Sequence, residues 1–366
     1  MTDLNMDTKN EDEQVRKVED AFKILQSHPE CSSLLAKNLT KDIVDKLKDK
    51  KTTLGATLYD VIRFGVKNLD SGVGVYAPDA ESYTTFAPLF DKIIEDFHGF
   101  KPWEIQPLDD LGENRLDDFP PLDPEGKYIQ FTTIRCGRSI RGYPFNSQIW
   151  EEEYKEMKQK VNDVLEKIED NDLKGRNYKH GDLSLSDQLL LIADQKLFLE
   201  NDDRGFSTGY PIIQEYNDEI FVNDAKTFLT WINEEDHLRI ISMEKGSDVG
   251  KVLDRLIRGI KSIESKLPFA RDSRLGWLTL SPVNLGSTVR AFVRMKLPKV
   301  SAGKDFGNIC EHLNLQPCPI QGENVLFEKG VFDISNVARL GKSEVECVKE
   351  MYDGVKKLIE MEESAS

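Results

Sequence analysis

Ser281-Pro282-Val283-Asn284-Leu285-Gly286-Ser287, with the run Val289 to Leu297 that leaves it, decides the reading of this chain. Val289, Ala291, Val293, Met295 and Leu297 alternate with Arg290, Phe292, Arg294 and Lys296. A period of two puts an apolar row on one face of a strand and a largely cationic row on the other. Pro298 has no amide for the ladder and stops the strand. Leu278-Thr279-Leu280 reads as the end of a buried strand entering the loop. A Pro/Asn/Gly loop between two strands points backbone N–H groups and short polar side chains into a cleft, and Arg290 looks along it. Fixed donors beside a guanidinium suit an anionic substrate, because guanidinium binds phosphate bidentately. On these residues alone, an ordinary hairpin with a solvated basic face is an equal reading.

The chain has 366 residues, room for two domains. Apolar residues at 39% and charged residues at 31% fit a soluble globular protein. A net charge of −16 argues against extended binding to nucleic-acid backbones, which needs a basic surface. It leaves open a small anionic ligand held by converging arginines. No apolar run reaches the length of a membrane span, and the polar start lacks a signal-peptide core. Cys31, Cys136, Cys310, Cys318 and Cys347 lack metal-ligand spacing and are odd in number. Reduced thiols in the cytoplasm are the simplest reading.

Along the chain, residues 1–12 read as disordered, within a tail taken to residue 19. Helical patterns cover Val15–Gln26, Lys41–Lys48, Thr57–Asn68 and Thr84–Phe97, with Thr40 as a cap. They make residues 20–105 a small all-helical domain. Between the third and fourth helices, Asp70-Ser71-Gly72-Val73-Gly74-Val75-Tyr76 has two glycines that permit close backbone approach, and an aromatic wall. A plain interhelix turn has the same composition. Residues 106–127, rich in Pro, Asp and Gly, read as a linker. From residue 128 to 366 strands, hairpins and helices alternate, which predicts an α+β domain with a mainly antiparallel sheet.

Within it, Tyr128–Gly137 alternates as a strand, and residues 148–168, 184–200, 249–265 and 305–313 read as helices. Thr227–Ile232 and His237–Met243 flank Asn233-Glu234-Glu235-Asp236 as a hairpin. Adjacent carboxylates repel, so one of them facing a cationic substrate competes with solvated turn acids as an explanation. Arg239 lies just inside the return strand and can share a cleft with Arg290. Val331–Asn336 is a short strand, and Ser343-x-x-Glu346 is a capping box opening the last helix.

The loop Ser281–Ser287 followed by Arg290 resembles the active-site signature of the phosphagen kinases, Cys-Pro-Thr-Asn-Leu-Gly-Thr. Asn233–Arg239 is similar to that family's acidic hairpin. Asp70–Tyr83 resembles the guanidino-specificity loop of its arginine kinases, and Val331–Asn336 its Tyr-Asp-Ile-Ser-Asn block. These separate motifs fall in register from about residue 20 to the C-terminus. The resemblance implies a small helical domain followed by a larger one with an eight-stranded antiparallel sheet flanked by helices. It implies reversible transfer of the γ-phosphoryl of MgATP to the guanidinium of L-arginine or another guanidino compound. Mg²⁺ would arrive with ATP or ADP, so no protein metal cluster is expected. The implied protein is a cytoplasmic monomer or homodimer.

By the same resemblance Glu235 would hold the guanidinium and act as base, and Glu323 would bind its other edge. Ser281 stands at the signature cysteine. Ser71, Gly72, Val73, Gly74 and Tyr76 would hold the substrate's α-amino and carboxylate groups. Arg135, Arg239 and Arg290 would neutralise the phosphates.

The departures are specific. Ser281 offers a hydroxyl where the family has a thiol capable of ionising. Thr133, Cys318 and Gln321 stand where the family carries basic residues, and Ile213–Glu219 lacks its usual Trp, Pro and Arg. Each hydrogen bond to a charged group contributes about 1.5–3 kcal/mol. Two lost arginines therefore weaken the nucleotide or its transition state by roughly 3–6 kcal/mol, unless Arg138 or Arg141 compensates. A kinase with reduced turnover, a guanidino-binding pseudoenzyme and a protein regulating an active relative all follow from this pattern.

Overall fold

The computed structural model describes residues 2–179, 219–319 and 330–365, with side chains from residue 12 onward. The helix read at 184–200, most of Ile213–Glu219, Gln321 and Glu323 lie outside the described residues.

The first helix, α1 (Thr2–Ser27), begins well before Val15, so the residues expected to be disordered are helical. Next comes α2 (Leu34–Asn38), which the sequence reading missed. Five residues are too few to show a period; the helix is made by its cap and a tertiary contact. Ser33 accepts the Ala36 amide at 3.1 Å. The Leu34 and Leu35 amides, which have no intrahelical partner, donate to the carbonyls of Gly72 and Val73 at 3.0 and 2.9 Å. Helix α3 (Lys41–Leu47) is capped by Thr40 as expected, and α4 (Leu58–Lys67) opens on a Thr57/Asp60 capping box. The single helix expected over Thr84–Phe97 divides into α5 (Ser82–Thr85) and α6 (Ala87–His98). Pro88 fits the first turn of a new helix and cannot continue an old one.

The segment 106–127 is docked rather than free. Gln106 donates to Lys342 O at 2.6 Å and accepts from the Gly341 amide at 2.7 Å. A 3₁₀ turn follows at Glu113–Asp118. Asp123 accepts the amides of Lys127, Tyr128 and Ile129 at 3.0, 2.6 and 2.7 Å, fixing the entry to the sheet.

That sheet has eight antiparallel strands in the order β2-β3-β4-β5-β1-β8-β10-β9. The central ones are β1 (Ile129–Arg138), β5 (Leu238–Lys245) and β8 (Arg290–Lys296). Around them lie β2 (Gly175–Lys179), β3 (Glu219–Asn223), β4 (Phe228–Ile232), β9 (Leu315–Pro319) and β10 (Val331–Asn336). A two-stranded ribbon, β6 (Arg271–Asp272) with β7 (Gly276–Trp277), stands apart. Helices α7 (Glu151–Leu165), α8 (Val249–Glu264) and α10 (Glu344–Ser364) cover one face. Helix α9 (Phe306–His312) sits near β9. The expected stripe of α10, Val345, Val348, Met351, Val355, Leu358 and Ile359, is buried throughout, and its capping box forms.

Two expectations change here. Leu278–Leu280 is not a sheet strand; it is an extended connector whose Leu280 carbonyl accepts from Ala77 N at 2.8 Å. Leu275, Leu278, Leu280, Leu285 and Leu340 complete the core of the helical unit, which is therefore not closed by residues 20–105 alone. Nor is the polar face of β8 a solvated basic surface. Arg294 is buried and makes a two-pronged ion pair with Asp333, at 2.9 and 3.1 Å.

Candidate active site

The signature stretch forms a short 3₁₀ turn, Pro282–Asn284, and then a tight bend. Gly286 has φ +92°, and a Cβ there would lie 2.5 Å from Arg339 O. Only glycine lets this loop press against residues 339–340. Its amide and carbonyl bond Leu275 O and Trp277 N, and Ser287 N bonds Arg339 O, so the loop is held from two sides. Thr288 follows with φ +59°. A β-branched residue there costs about 1–3 kcal/mol. It is held by Arg138, which donates to its hydroxyl at 2.6 Å, while that hydroxyl donates to Gly137 O at 2.9 Å. The strained residue lies two positions before Arg290, the first residue of β8.

Strand register does the rest. Arg135 on β1 faces Arg290 on β8, and Gly137, two residues on, faces Arg239 on β5. The register brings Arg239 and Arg290, read as sharing a cleft, onto the strands that flank Arg135. A fourth, Arg339, joins them and was missed. Burial, Arg239, Arg290 and Arg339 all push the Arg135 guanidinium well below its ordinary range. Arg339 is pushed down to about 10 by burial and by Arg290. The only sequence signal for Arg339 was its place just beyond the Val331–Asn336 block. Asn336 accepts from Ala291 N and donates to Val289 O and Ala338 O, and so carries the chain round to it.

The acidic hairpin reaches the same place. Asn233 takes φ +61° at its turn. Asn146 donates to the carbonyls of Glu234 and Glu235, both at 3.1 Å. Glu234 pairs with Arg239 at 2.8 Å, and Glu235 lies 3.6 Å from it. Burial and Glu234 raise the Glu235 carboxyl, while Arg239, Arg339 and a hydrogen bond from the Asn284 side chain lower it. Asn284 Oδ1 also accepts from Arg339, so one amide joins Arg339 to Glu235. Tyr76 is pushed up to about 12 by burial and by the charge of Glu235, so the tyrosine lies within electrostatic reach of this carboxylate. Beneath the turn, His237 accepts from Ile140 N and donates to Pro144 O, both at 2.9 Å. Those two bonds demand the neutral ring, and burial lowers its pKa to about 4.

The 71–76 loop is shaped by contact between two glycines. A Cβ on Gly65 of α4 would stand 2.2 Å from Gly74 O. The carbonyls of Gly72 and Val73 are taken by α2. The amides of Gly72, Val73 and Gly74 donate to no acceptor among the described residues. They are a ready set of donors for a carboxylate.

Ser281 is buried next to this assembly, one residue after Leu280, whose amide donates to Asp236. Thr133 is buried on β1 between Met243 and Phe292, and Cys318 Sγ lies 3.4 Å from Arg290 Nη2. Arg138 does not compensate for them. It is fully buried in an ion pair with Glu344 at 3.3 Å, stacked on Trp277. Arg141 is exposed. No group of three His, Cys, Asp or Glu among the described residues is placed to hold a metal ion.

The model for the ATP:guanido phosphotransferase C-terminal catalytic domain matches residues 156–365. That for the N-terminal domain matches residues 29–95. A probable arginine kinase of Caenorhabditis elegans is 54% identical over 352 residues, 96% of this chain and 89% of the relative. The arginine kinase of Limulus polyphemus is 50% identical over 353 residues, 96% and 98% of the two chains. Among solved structures, a duplicated taurocyamine kinase from Schistosoma mansoni with bound transition-state-analogue components superposes with a TM-score of 0.86 at 34% identity. That match covers 94% of this chain and 48% of the other. Lombricine kinase matches with a TM-score of 0.83 at 35% identity, over 91% and 92% of the two chains.

Proposed function

The chain belongs to the ATP:guanido phosphotransferase family, and on that premise we propose that its guanidino substrate is L-arginine and that it turns over more slowly than an ordinary member. The observation carrying the first half is the meeting of Tyr76, Glu235, Asn284 and Arg339 at one point. A guanidinium is protonated at neutral pH and a poor nucleophile. Glu235 gives it an anionic partner and, with its proton affinity raised by burial, takes the proton lost on attack. The open amides of Gly72, Val73 and Gly74 suit an α-carboxylate, which L-arginine presents at the far end from its guanidinium. Glu323 is proposed for the guanidinium's second edge. Holding both ends fixes the line of attack, where most of the rate in phosphoryl transfer arises.

MgATP is the co-substrate, its metal carried on the phosphates. Arg135, Arg239, Arg290 and Arg339 supply positive charge for the transferred phosphoryl. Thr133 and Cys318 supply none, and buried Arg138 cannot. The five free cysteines fit a reducing cytoplasm, where we place the reaction. Calorimetry with L-arginine and creatine, with and without MgADP, tests the substrate. Creatine is bulkier near the reacting nitrogen and lacks the α-amino group, so tighter creatine binding overturns the assignment. A coupled ATP/arginine assay tests the rate. Turnover in the range of about 1–100 s⁻¹ usual for kinases contradicts a damaged nucleotide half.

A further inference from the structure

The two ends of the guanidino site are carried by different parts of the chain. The open amides of Gly72, Val73 and Gly74 belong to the helical unit, and Glu235 to the acidic hairpin between β4 and β5. Four consecutive residues, Pro144-Phe145-Asn146-Ser147, join the two. Their bonds alternate. Pro144 O accepts from His237 Nε2 at 2.9 Å. Phe145 N donates to Pro78 O at 2.7 Å, and its ring is buried in the core of the helical unit. Asn146 donates to the carbonyls of Glu234 and Glu235. Ser147 O accepts from Arg63 Nη2 of α4 at 2.8 Å. Residues 144 and 146 thus hold the hairpin, while 145 and 147 hold the helical unit.

Both attachments are close to the site itself. On one side, Tyr76 N donates to Val61 O at 3.1 Å, and Gly65 leaves no room for a side chain beside Gly74. α4 and the 72–78 segment are therefore one body, and Arg63 and Pro78 report the position of the loop. On the other side, Asn146 is buried and grips the backbone of Glu235, and no backbone amide among the described residues donates to either carbonyl it holds. A second strap runs through Leu280, which accepts from Ala77 N and donates to Asp236 Oδ1, both at 2.8 Å. It ends on a neighbouring side chain rather than on the backbone of Glu235.

We propose that residues 144–147 fix the span between the amides of the 72–74 loop and Glu235, and that Asn146 is a positioning residue through which the protein selects its guanidino substrate by length. The proposal rests on the guanidino reading of the same site. A guanidino amino acid meets both ends at once only if its methylene chain matches that span. One methylene too many or too few takes the carboxylate or the guanidinium off its partner, and such a change is worth about 10–200-fold in selection. Without Asn146 the hairpin shifts, and the span discriminates less.

Calorimetry of the full chain with L-arginine, with L-homoarginine, one methylene longer, and with the homologue one methylene shorter tests this. The unaltered protein is expected to bind L-arginine at least about tenfold more tightly than either homologue. In Asn146→Ala that preference is expected to fall to within about threefold, through weaker arginine binding. Arg63→Met cuts the opposite end of the bridge and is expected to narrow the preference likewise, which keeps the test alive should the first variant fold poorly. Thermal melts identify the folded variants. A preference unchanged in either folded variant overturns the proposal. Equal weakening of all three ligands, the mark of a merely structural residue, overturns it too, as does an unaltered protein that binds L-arginine no more tightly than a homologue. An unaltered protein that binds none of the three sinks the guanidino reading and this proposal together. Preferential arginine binding that survives both substitutions sinks this proposal alone.

Discussion

Asp236 accepts the Leu280 amide on Oδ1 at 2.8 Å. This bond ties the acidic hairpin to the connector just before Ser281, across 44 residues of sequence. The carboxylate doing so is buried, and burial together with Glu235 pushes its pKa up to about 8. Glu235 therefore has a neighbour that holds its proton near neutral pH, sparing the hairpin a third full negative charge.

Asp236→Asn keeps the carbonyl that accepts from Leu280 and removes the titration. In the unfolded chain Asp236 ionises near 3.8, and in the folded protein near 8. Between those values the folded state binds more protons, so this group makes stability fall as pH rises. The variant's melting temperature is expected to decline less than the wild type's between about pH 6 and 8.5. Thermal melts across that range check it; parallel curves contradict it.

Gly65→Ala forces α4 and the 71–76 loop apart, because the new methyl meets Gly74 O at 2.2 Å and backbone cannot step aside cheaply. A loss of about 2–4 kcal/mol in stability is expected. In the folded fraction the KM for arginine should rise more than that for MgATP. Equal changes in both KM values would show that the loop does not hold the guanidino substrate.

Glu235→Gln removes the anionic partner and the proton acceptor together while keeping a similar shape. Turnover in the coupled assay is expected to fall by about 10²–10⁴ or more. Arginine affinity should weaken with it. Retention of wild-type activity would move the base elsewhere in the hairpin.

Cys318→Arg with Thr133→Arg is expected to raise turnover more than Ser281→Cys does. An arginine on a transferring phosphoryl contributes up to about 10³–10⁵ in rate, whereas the thiol adds orientation and a partial charge. The two sites are not equal. Cys318 is partly exposed beside Arg290, so an arginine there can lean toward solvent. Thr133 is buried between Met243 and Phe292, and arginine must displace them. Cys318→Arg alone should therefore give most of the gain with little loss of melting temperature. A larger gain from Ser281→Cys would place the defect in the guanidino half.

Local patterns were legible wherever one residue type dictates one local geometry. Alternation along residues 289–297 gave β8, Ser343 with Glu346 gave the start of α10, and Thr40 gave a cap. α2 escaped because its stability comes from amides satisfied by Gly72 and Val73, residues far along the chain. Leu278–Leu280 misled because an apolar run looks alike whether it pairs in a sheet or fills a neighbouring helical core.

Residue order alone is enough to show which groups are present for chemistry: Glu235 in an acidic turn, arginines on alternating strands, and the motifs that carry the family likeness. Tertiary structure decided which of those charges are available. Arg138, Arg294 and Arg290 are equally cationic on paper, yet Glu344 and Asp333 neutralise the first two, and among the described residues Arg290 bonds a thiol. Likewise Arg339 entered the site only through the bend after β10 and the bond to Asn284. Availability of charge depends on what lies within a few ångströms in space, and across strands that distance is set by register rather than by position in the chain.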